Sequence, residues 1–301
     1  MKLRSLVLLV LLFSLATLHA QSTDWLYYTS THGSNLPTFT KVDGTGAAIT
    51  AVEFSSSITV DGVTYNAAGG NEDILLIKLT PAGVVDWAKH ITSGDDLAIG
   101  SLAIDTQDRI YLHFIVSGFA TTVLADDTLL TVTSNQPRGL LIRVSPTGDV
   151  DRAKVGFTGT SITVKGTVIY AISSQTAGAE VQKLNINLQL FATFPLGILE
   201  MQYPVIAVNA AGYMAIAGSE FMLDDMNIQG TVVPNDPTNK NEAFVFVLDP
   251  AGNLQWVRSY GAMNLFSERA YGIALADDGR VFVATESDTT FTFAGTGFPG
   301  I

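Results

Sequence analysis

Two stretches of this chain read alike. Ile74 to His90 is ILLIKLTPAGVVDWAKH and Phe244 to Tyr260 is FVFVLDPAGNLQWVRSY: an apolar run, a Pro-Ala-Gly turn, and a second run carrying a tryptophan. The turn occurs as Pro81-Ala82-Gly83, Pro146-Thr147-Gly148 and Pro250-Ala251-Gly252, after the apolar runs Ile74 to Leu79, Leu140 to Val144 and Phe244 to Leu248. Runs this short between Pro and Gly are buried strands, not helices. Pro pre-sets φ at the first corner and Gly completes the turn. Val181 to Phe194 is a degenerate copy, with Lys183 in the place of Lys78 and Arg143 and neither Pro nor Gly in its turn.

A second phrase alternates with the first. It occurs as Leu102 to Tyr111, as Ile273 to Phe282, as Ile206-Ala207-Val208-Asn209 before Gly212-Tyr213-Met214, and more loosely over Ile162 to Ile172 and Lys41 to Val52. Each copy is a short strand, a polar turn and another strand, which makes a hairpin. Four strands therefore form a unit, and units span roughly 38–92, 100–155, 160–194 and 203–260, with an unfinished one from about 270. Four-stranded units without helical periodicity predict an all-β chain, a β-propeller of antiparallel blades. Between the second and third strands lie polar insertions, Ser55 to Asp73, Ala120 to Arg138 and Glu220 to Glu242, whose composition predicts protruding hairpins.

The tryptophans obey this frame. Trp87 and Trp256 sit in the fourth strand of their units, where Arg152 and Ala192 stand in the second and third. Trp25, in Asp24-Trp25-Leu26-Tyr27, reads as an orphan fourth strand that closes the ring. The fifth unit supplies two strands and the start of an insertion before Ile301. Its third strand is missing, so the expected propeller is incomplete, about four blades and part of a fifth.

Composition narrows the setting. Lys2 and Arg4, the apolar run Leu6 to Leu18 and the small residue Ala20 read as a signal peptide over 1–20. The chain has no cysteine, so it has neither disulfides nor thiolate metal sites, and an exported protein of this kind suits a bacterial envelope or extracellular space. Its net charge is −12, and the signal carries bases but no acids, so the mature surface repels nucleic acid and anionic membranes.

Residues that could carry chemistry do not converge in the sequence. His19, His32, His90 and His113 lack ligand spacing and are expected at the surface or on strand edges. No phosphate loop, nucleophile elbow or zinc-helix motif occurs. The acid pairs Asp95-Asp96, Asp126-Asp127, Asp224-Asp225 and Asp277-Asp278 would suit calcium or glycoside chemistry, but they occupy different places in their units. Asp43, Asp105 and Asn209 share one repeat position at the end of a first strand, where side chains satisfy turn amides. The repeated tryptophans are expected to pack between blades. No catalytic, cofactor-binding or metal-binding residue is assigned.

The residues resemble the bacterial propeller repeats called SBBP repeats. The resemblance rests on Asp73 to Trp87 with Lys78, Pro81 and Gly83, on Glu242 to Trp256 with Pro250 and Gly252, and on Ile58-Thr59-Val60-Asp61-Gly62 with Gly69-Gly70. It covers nearly all the mature chain, strongly in the first and fourth units and weakly in the third. It implies a secreted or cell-surface propeller, seven-bladed when whole, and brings no catalytic residues. Two functions follow as expectations. One is a non-enzymatic binding, adhesion or scaffolding module with a protein or glycan partner. The other is an exported enzyme, PQQ-dependent or acting on polysaccharide, with carboxylates at the central channel.

Overall fold

The computed structural model describes residues 30–31, 38–117, 120–125, 128–133, 138–175, 178–198, 201–221, 226–233, 241–260 and 269–286. The signal peptide reading, Trp25, His32, Asp126-Asp127 and Asp224-Asp225 lie outside them. The described residues form small antiparallel sheets and, apart from the three-residue 3-10 turn Ala68–Gly70, no helix.

After β1 (Ser30–Thr31), the first sheet contains β2 (Thr38–Val42) and β3 (Ala48–Phe54), then the insertion hairpin β4 (Ser57–Val60) and β5 (Val63–Asn66), then β6 (Asp73–Leu79) and β7 (Val85–Thr92). The second follows with β8 (Leu97–Ile104) and β9 (Ile110–Val116), the insertion β10 (Ala120–Ala125) and β11 (Thr128–Thr133), then β12 (Arg138–Val144) and β13 (Val150–Phe157). The third is β14 (Gly159–Lys165), β15 (Val168–Gln175), β16 (Gly178–Asn185) and β17 (Leu190–Pro195). The fourth has β18 (Gln202–Val208) and β19 (Met214–Phe221), the insertion β20 (Met226–Ile228) and β21 (Thr231–Val233), then β22 (Asn241–Leu248) and β23 (Leu254–Tyr260). A last hairpin pairs β24 (Arg269–Leu275) with β25 (Val281–Glu286).

Outside the insertions the four strands of each sheet pair in chain order (β2-β3-β6-β7, β8-β9-β12-β13, β14-β15-β16-β17, β18-β19-β22-β23), while β4–β5 pairs with β1 and β20–β21 is a two-stranded sheet of its own. The first strand of each four-stranded sheet lies beside the first strand of the next. The third strands are largely buried because both of their faces are covered; every residue of β6 is buried. Four apolar clusters fill successive interfaces. Leu76 and Leu112 share the cluster between the first and second sheets, Tyr111 and Ala171 that between the second and third, Ile172 and Phe246 that between the third and fourth, and Val245 and Ala270 that between the fourth and fifth. Trp87 and Trp256 belong to the first and last of these clusters.

Hydrogen bonds tie each of the first three sheets to the following one at a repeated position. Lys78 and the Trp87 indole both donate to the Pro146 carbonyl, at 3.5 and 3.0 Å. Arg143 donates to the Ile186 carbonyl, and Lys183 to that of Pro250 at 2.7 Å. Each acceptor is the first corner of the outer turn in the next sheet. The matching residue of the fourth sheet is Val247, opposite Trp256, so the series of cations stops there.

The insertions form hairpins, but they do not stand free. β10 adds to the outer strand β7, pairing Leu124 with Thr92 and Ala125 with Ile91. Gln229, at the turn of β20–β21, donates its amide N–H to the Leu196 carbonyl beyond β17 and its side chain to the carbonyls of Pro195 and Gly252. Edge strands left open cost solubility, and covering them removes that exposure.

Candidate functional site

An antiparallel meander sends its first and third turns to one end and its second to the other. Nine turns among the described residues therefore collect at one end; eight are built alike, and the ninth, Gly166-Thr167 between β14 and β15, is a tighter two-residue turn. The N–H of the opening residue (Asp43, Thr80, Asp105, Ser145, Asn185, Asn209, Asp249 or Ala276) donates to the carbonyl four residues on, and its own carbonyl accepts the N–H three residues on. The fourth residue has positive φ, which Gly46, Gly83, Gly148, Gly212, Gly252 and Gly279 adopt without a Cβ penalty. Asp108 and Leu188 take the same conformation, at φ 59° and 63°, and Leu188 is buried in the core between the second and third sheets.

The polar openers also close these turns with their side chains. Asp43 Oδ1 accepts from the amides of Thr45 and Ala47, Asp105 Oδ1 from Gln107 and Arg109, and Asn209 Oδ1 from Tyr213. Burial alone would raise the Asp43 carboxyl, but the Thr45 hydroxyl, Lys78 at 3.1 Å and these amides outweigh it and hold it below the ordinary carboxylate value. The Asp105 carboxylate also takes Arg109 and the Tyr111 hydroxyl; burial and that negative charge push Tyr111 up to about 12. Pro81, Pro146 and Pro250 are corners at this same end, and Gly148 and Gly252 lie against Trp87 and Phe194 of the preceding sheets. All these repeat residues are thus occupied by the turns and sheet contacts.

The histidines require a correction. His113 was expected at the surface, yet it is 1 % exposed, and neither ring nitrogen has a hydrogen-bond partner. Gly100 and Gly139 on the flanking strands make its niche: a Cβ at Gly100 would lie 2.2 Å from Nδ1, and one at Gly139 would lie 3.0 Å from Nε2. The Phe157 ring meets it edge-on at 5.2 Å. Burial without a partner disfavours the cation and pulls the imidazole down to about 4. Glycines inside strands signal close approach, and those two were the readable clue. His90 does lie on an outer strand, where its Nε2 is 2.9 Å from the buried Asp73 carboxylate, beside Phe54 and Tyr65.

One acid escaped the sequence reading altogether. Glu53, on β3, is buried against the second sheet, where it accepts the Ile99 amide N–H. Burial raises it to about 7; the Ile99 bond opposes the shift and Glu72 adds to it. The described acid pairs do not meet. Asp95-Asp96 lies in the link from the first sheet to the second, whereas Asp277-Asp278 lies in a turn at the opposite end. No group of three or more His, Asp or Glu placed to hold a metal occurs among the described residues.

The insertion end is different in kind. Its hairpins turn through Asp61-Gly62 and Gln229-Gly230, with both residues at positive φ, and expose Val63 (54 %) and Val232 (55 %). Between β21 and the outer strand β23 is an open recess of about 500 Å³, lined by Thr231, Val232, Val233 and the stretch Leu254 to Ser259. Arg258 is the sole charged residue lining it among the described residues. The recess offers apolar contact, two strand segments and one cation, which suits binding more than bond-breaking chemistry.

No known family matches this chain, and no curated protein does. Among solved structures, a crystal structure of a nidogen/laminin complex aligns with 10 % identity over 70 % of this chain and 81 % of that one, with a TM-score of 0.31.

Proposed function

We propose that this chain is an exported, non-enzymatic repeat protein of the SBBP kind. In this reading its sheets are propeller blades, and it binds a protein or glycan at the insertion end. The carrying observation is the contrast between its ends. Polar side chains at one end are spent on closing eight like turns, while the insertions that leave the other end present unlike hairpins, exposed valines and the recess beside β23, the β20–β21 hairpin folding back until Gln229 reaches the Gly252 turn. Blades are supported by the ordered first strands and by the face-to-face apolar interfaces. Ring closure is supported by β1. Ser30 pairs with Thr59 as Thr92 pairs with Leu124, each opposite the next-to-last residue of an insertion strand. Ser30 follows Trp25 by the spacing at which Thr92 follows Trp87, so β1 stands where the outer strand of a preceding blade would stand.

Arrays of glycans and of purified extracellular proteins, probed with the mature chain, test this function. Saturable binding to an arrayed partner is expected, with at least a tenfold loss in a Val63→Lys/Val232→Lys variant that keeps its melting temperature, about 1.4 kcal/mol of binding. Full binding by that variant would move the contact surface away from the hairpins. Saturable uptake of PQQ or calcium with a rise in melting temperature would overturn the non-enzymatic reading.

A further inference from the structure

The four outer strands differ in one respect. β7 carries Asp86 and Lys89, β13 carries Asp151, Arg152 and Lys154, and β23 carries Arg258. β17 reads Leu190-Phe191-Ala192-Thr193-Phe194-Pro195 and has no charge at all. It ends the strand order of its sheet, with Leu190 46 % and Phe191 57 % exposed. β7 has its edge covered by β10, whereas Gln229 reaches β17 only at its far end, at the Pro195 carbonyl. Charge, and lysine above all, is the usual guard on an open strand edge. Here that guard is missing from an apolar edge that the described residues leave open.

We infer that β17 is a self-association edge, and that its occupant is β17 of a second copy of this chain, antiparallel about a twofold axis. An antiparallel edge is complementary to itself, because the two-fold brings the outward N–H and C=O groups of one strand to those of the other. Two four-stranded sheets would then join into one of eight strands, with the exposed Leu190 and Phe191 supplying cross-strand apolar contacts. Charge favours a copy at this place. With a net charge of −12 the chain repels its own kind over most of its surface, and β17 contributes nothing to that repulsion. The neighbouring cation, Lys183, is turned inward to the Pro250 carbonyl and over the Phe194 ring, so it does not guard the edge. This inference does not depend on the proposed binding function.

Sedimentation velocity on the full chain tests it. A reversible monomer–dimer equilibrium in the micromolar range is expected. Thr193 is exposed, so Thr193→Lys should leave the melting temperature unchanged and raise the dimer Kd at least about tenfold. Val155→Lys, at an exposed valine of β13, should leave the dimer as it was. A chain that stays monomeric up to about 100 μM overturns the inference, whatever foreign strand β17 then accepts. So does a dimer indifferent to Thr193→Lys, or one that Val155→Lys disrupts equally.

Discussion

The turn end and the insertion end of this molecule are built from similar residues under opposite constraints. At the turn end one five-residue solution recurs in eight turns, those of Gly148 and Gly252 pressed against the sheet before, and the turn whose glycine has open space, Gly166-Thr167, departs from it. At the insertion end Gly62 and Gly230 have open space where a Cβ would go, whereas at the turn end Gly148 meets Trp87 and Lys89, and Gly252 meets Phe194. Repetition here follows from packing: where a neighbour touches, the loop is held to one form, and where nothing touches, length and composition drift.

The sharpest way to break that comparison is at the glycines. Gly148→Val places a branched side chain at φ 96° and against the Trp87 ring, and should cost about 3–5 kcal/mol in denaturant unfolding. Gly62→Ala, also at positive φ but with nothing near it, should cost about 1 kcal/mol, the backbone penalty alone. Equal losses would show that backbone conformation, not contact, holds the turn end uniform.

The next effect is in pH. Glu53, raised from 4.5 to about 7, contributes stability that is full below pH 4.5 and lost as pH rises through 7. His113, lowered from 6.5 to about 4, does the reverse: its contribution is full above pH 6.5 and lost as pH falls through 4. The two slopes oppose each other between pH 4.5 and 6.5 and should leave a plateau there. Glu53→Gln should turn that plateau into a rise with pH, and His113→Leu into a fall, each spanning on the order of 3 kcal/mol. Urea melts across pH, read for each variant, check the two signs separately.

Smaller effects should follow at the contacts between sheets. Arg143→Met removes the bond to the Ile186 carbonyl and the paired bonds to Asp151, and should cost about 1–3 kcal/mol. The smallest belongs to the insertion end, where Val63→Lys and Val232→Lys should each stay within about 0.5 kcal/mol in thermal melts.

Strands and turns were legible because their signals are local. The Pro-x-Gly corners, the short apolar runs and the Asp43, Asp105 and Asn209 openers all report on neighbours within a few residues. The third unit was harder, since Leu188 holds the turn with neither Pro nor Gly, and its burial supplies what a glycine would have given. Contacts between sheets were out of reach. Lys183 could be aligned with Lys78 and Arg143, but that all three grip a carbonyl of the following sheet is a tertiary fact with no local trace. The same holds for Glu53, an acid in an alternating strand that looks solvent-facing until the second sheet is laid over it. For the candidate site, the insertions were recognisable as hairpins. Their return onto β7 and toward β17 was not, because it depends on how widely adjacent sheets splay.

The row of cations gives the molecule a direction. Lys78, Arg143 and Lys183 each reach forward, none backward, so each of the first three sheets depends on its successor for a carbonyl, and the second to fourth each offer a corner to the sheet before. Such an assembly has a head and a tail, like bricks with a peg on one side and a socket on the other. Adding or deleting one whole unit keeps peg matched to socket, while a cut through the middle of a unit strands one of each. Val247 is a brick without its peg, and the joint after it is held instead by the apolar cluster around Trp256 and by the Ala210 N–H, which donates to Asp277 Oδ1.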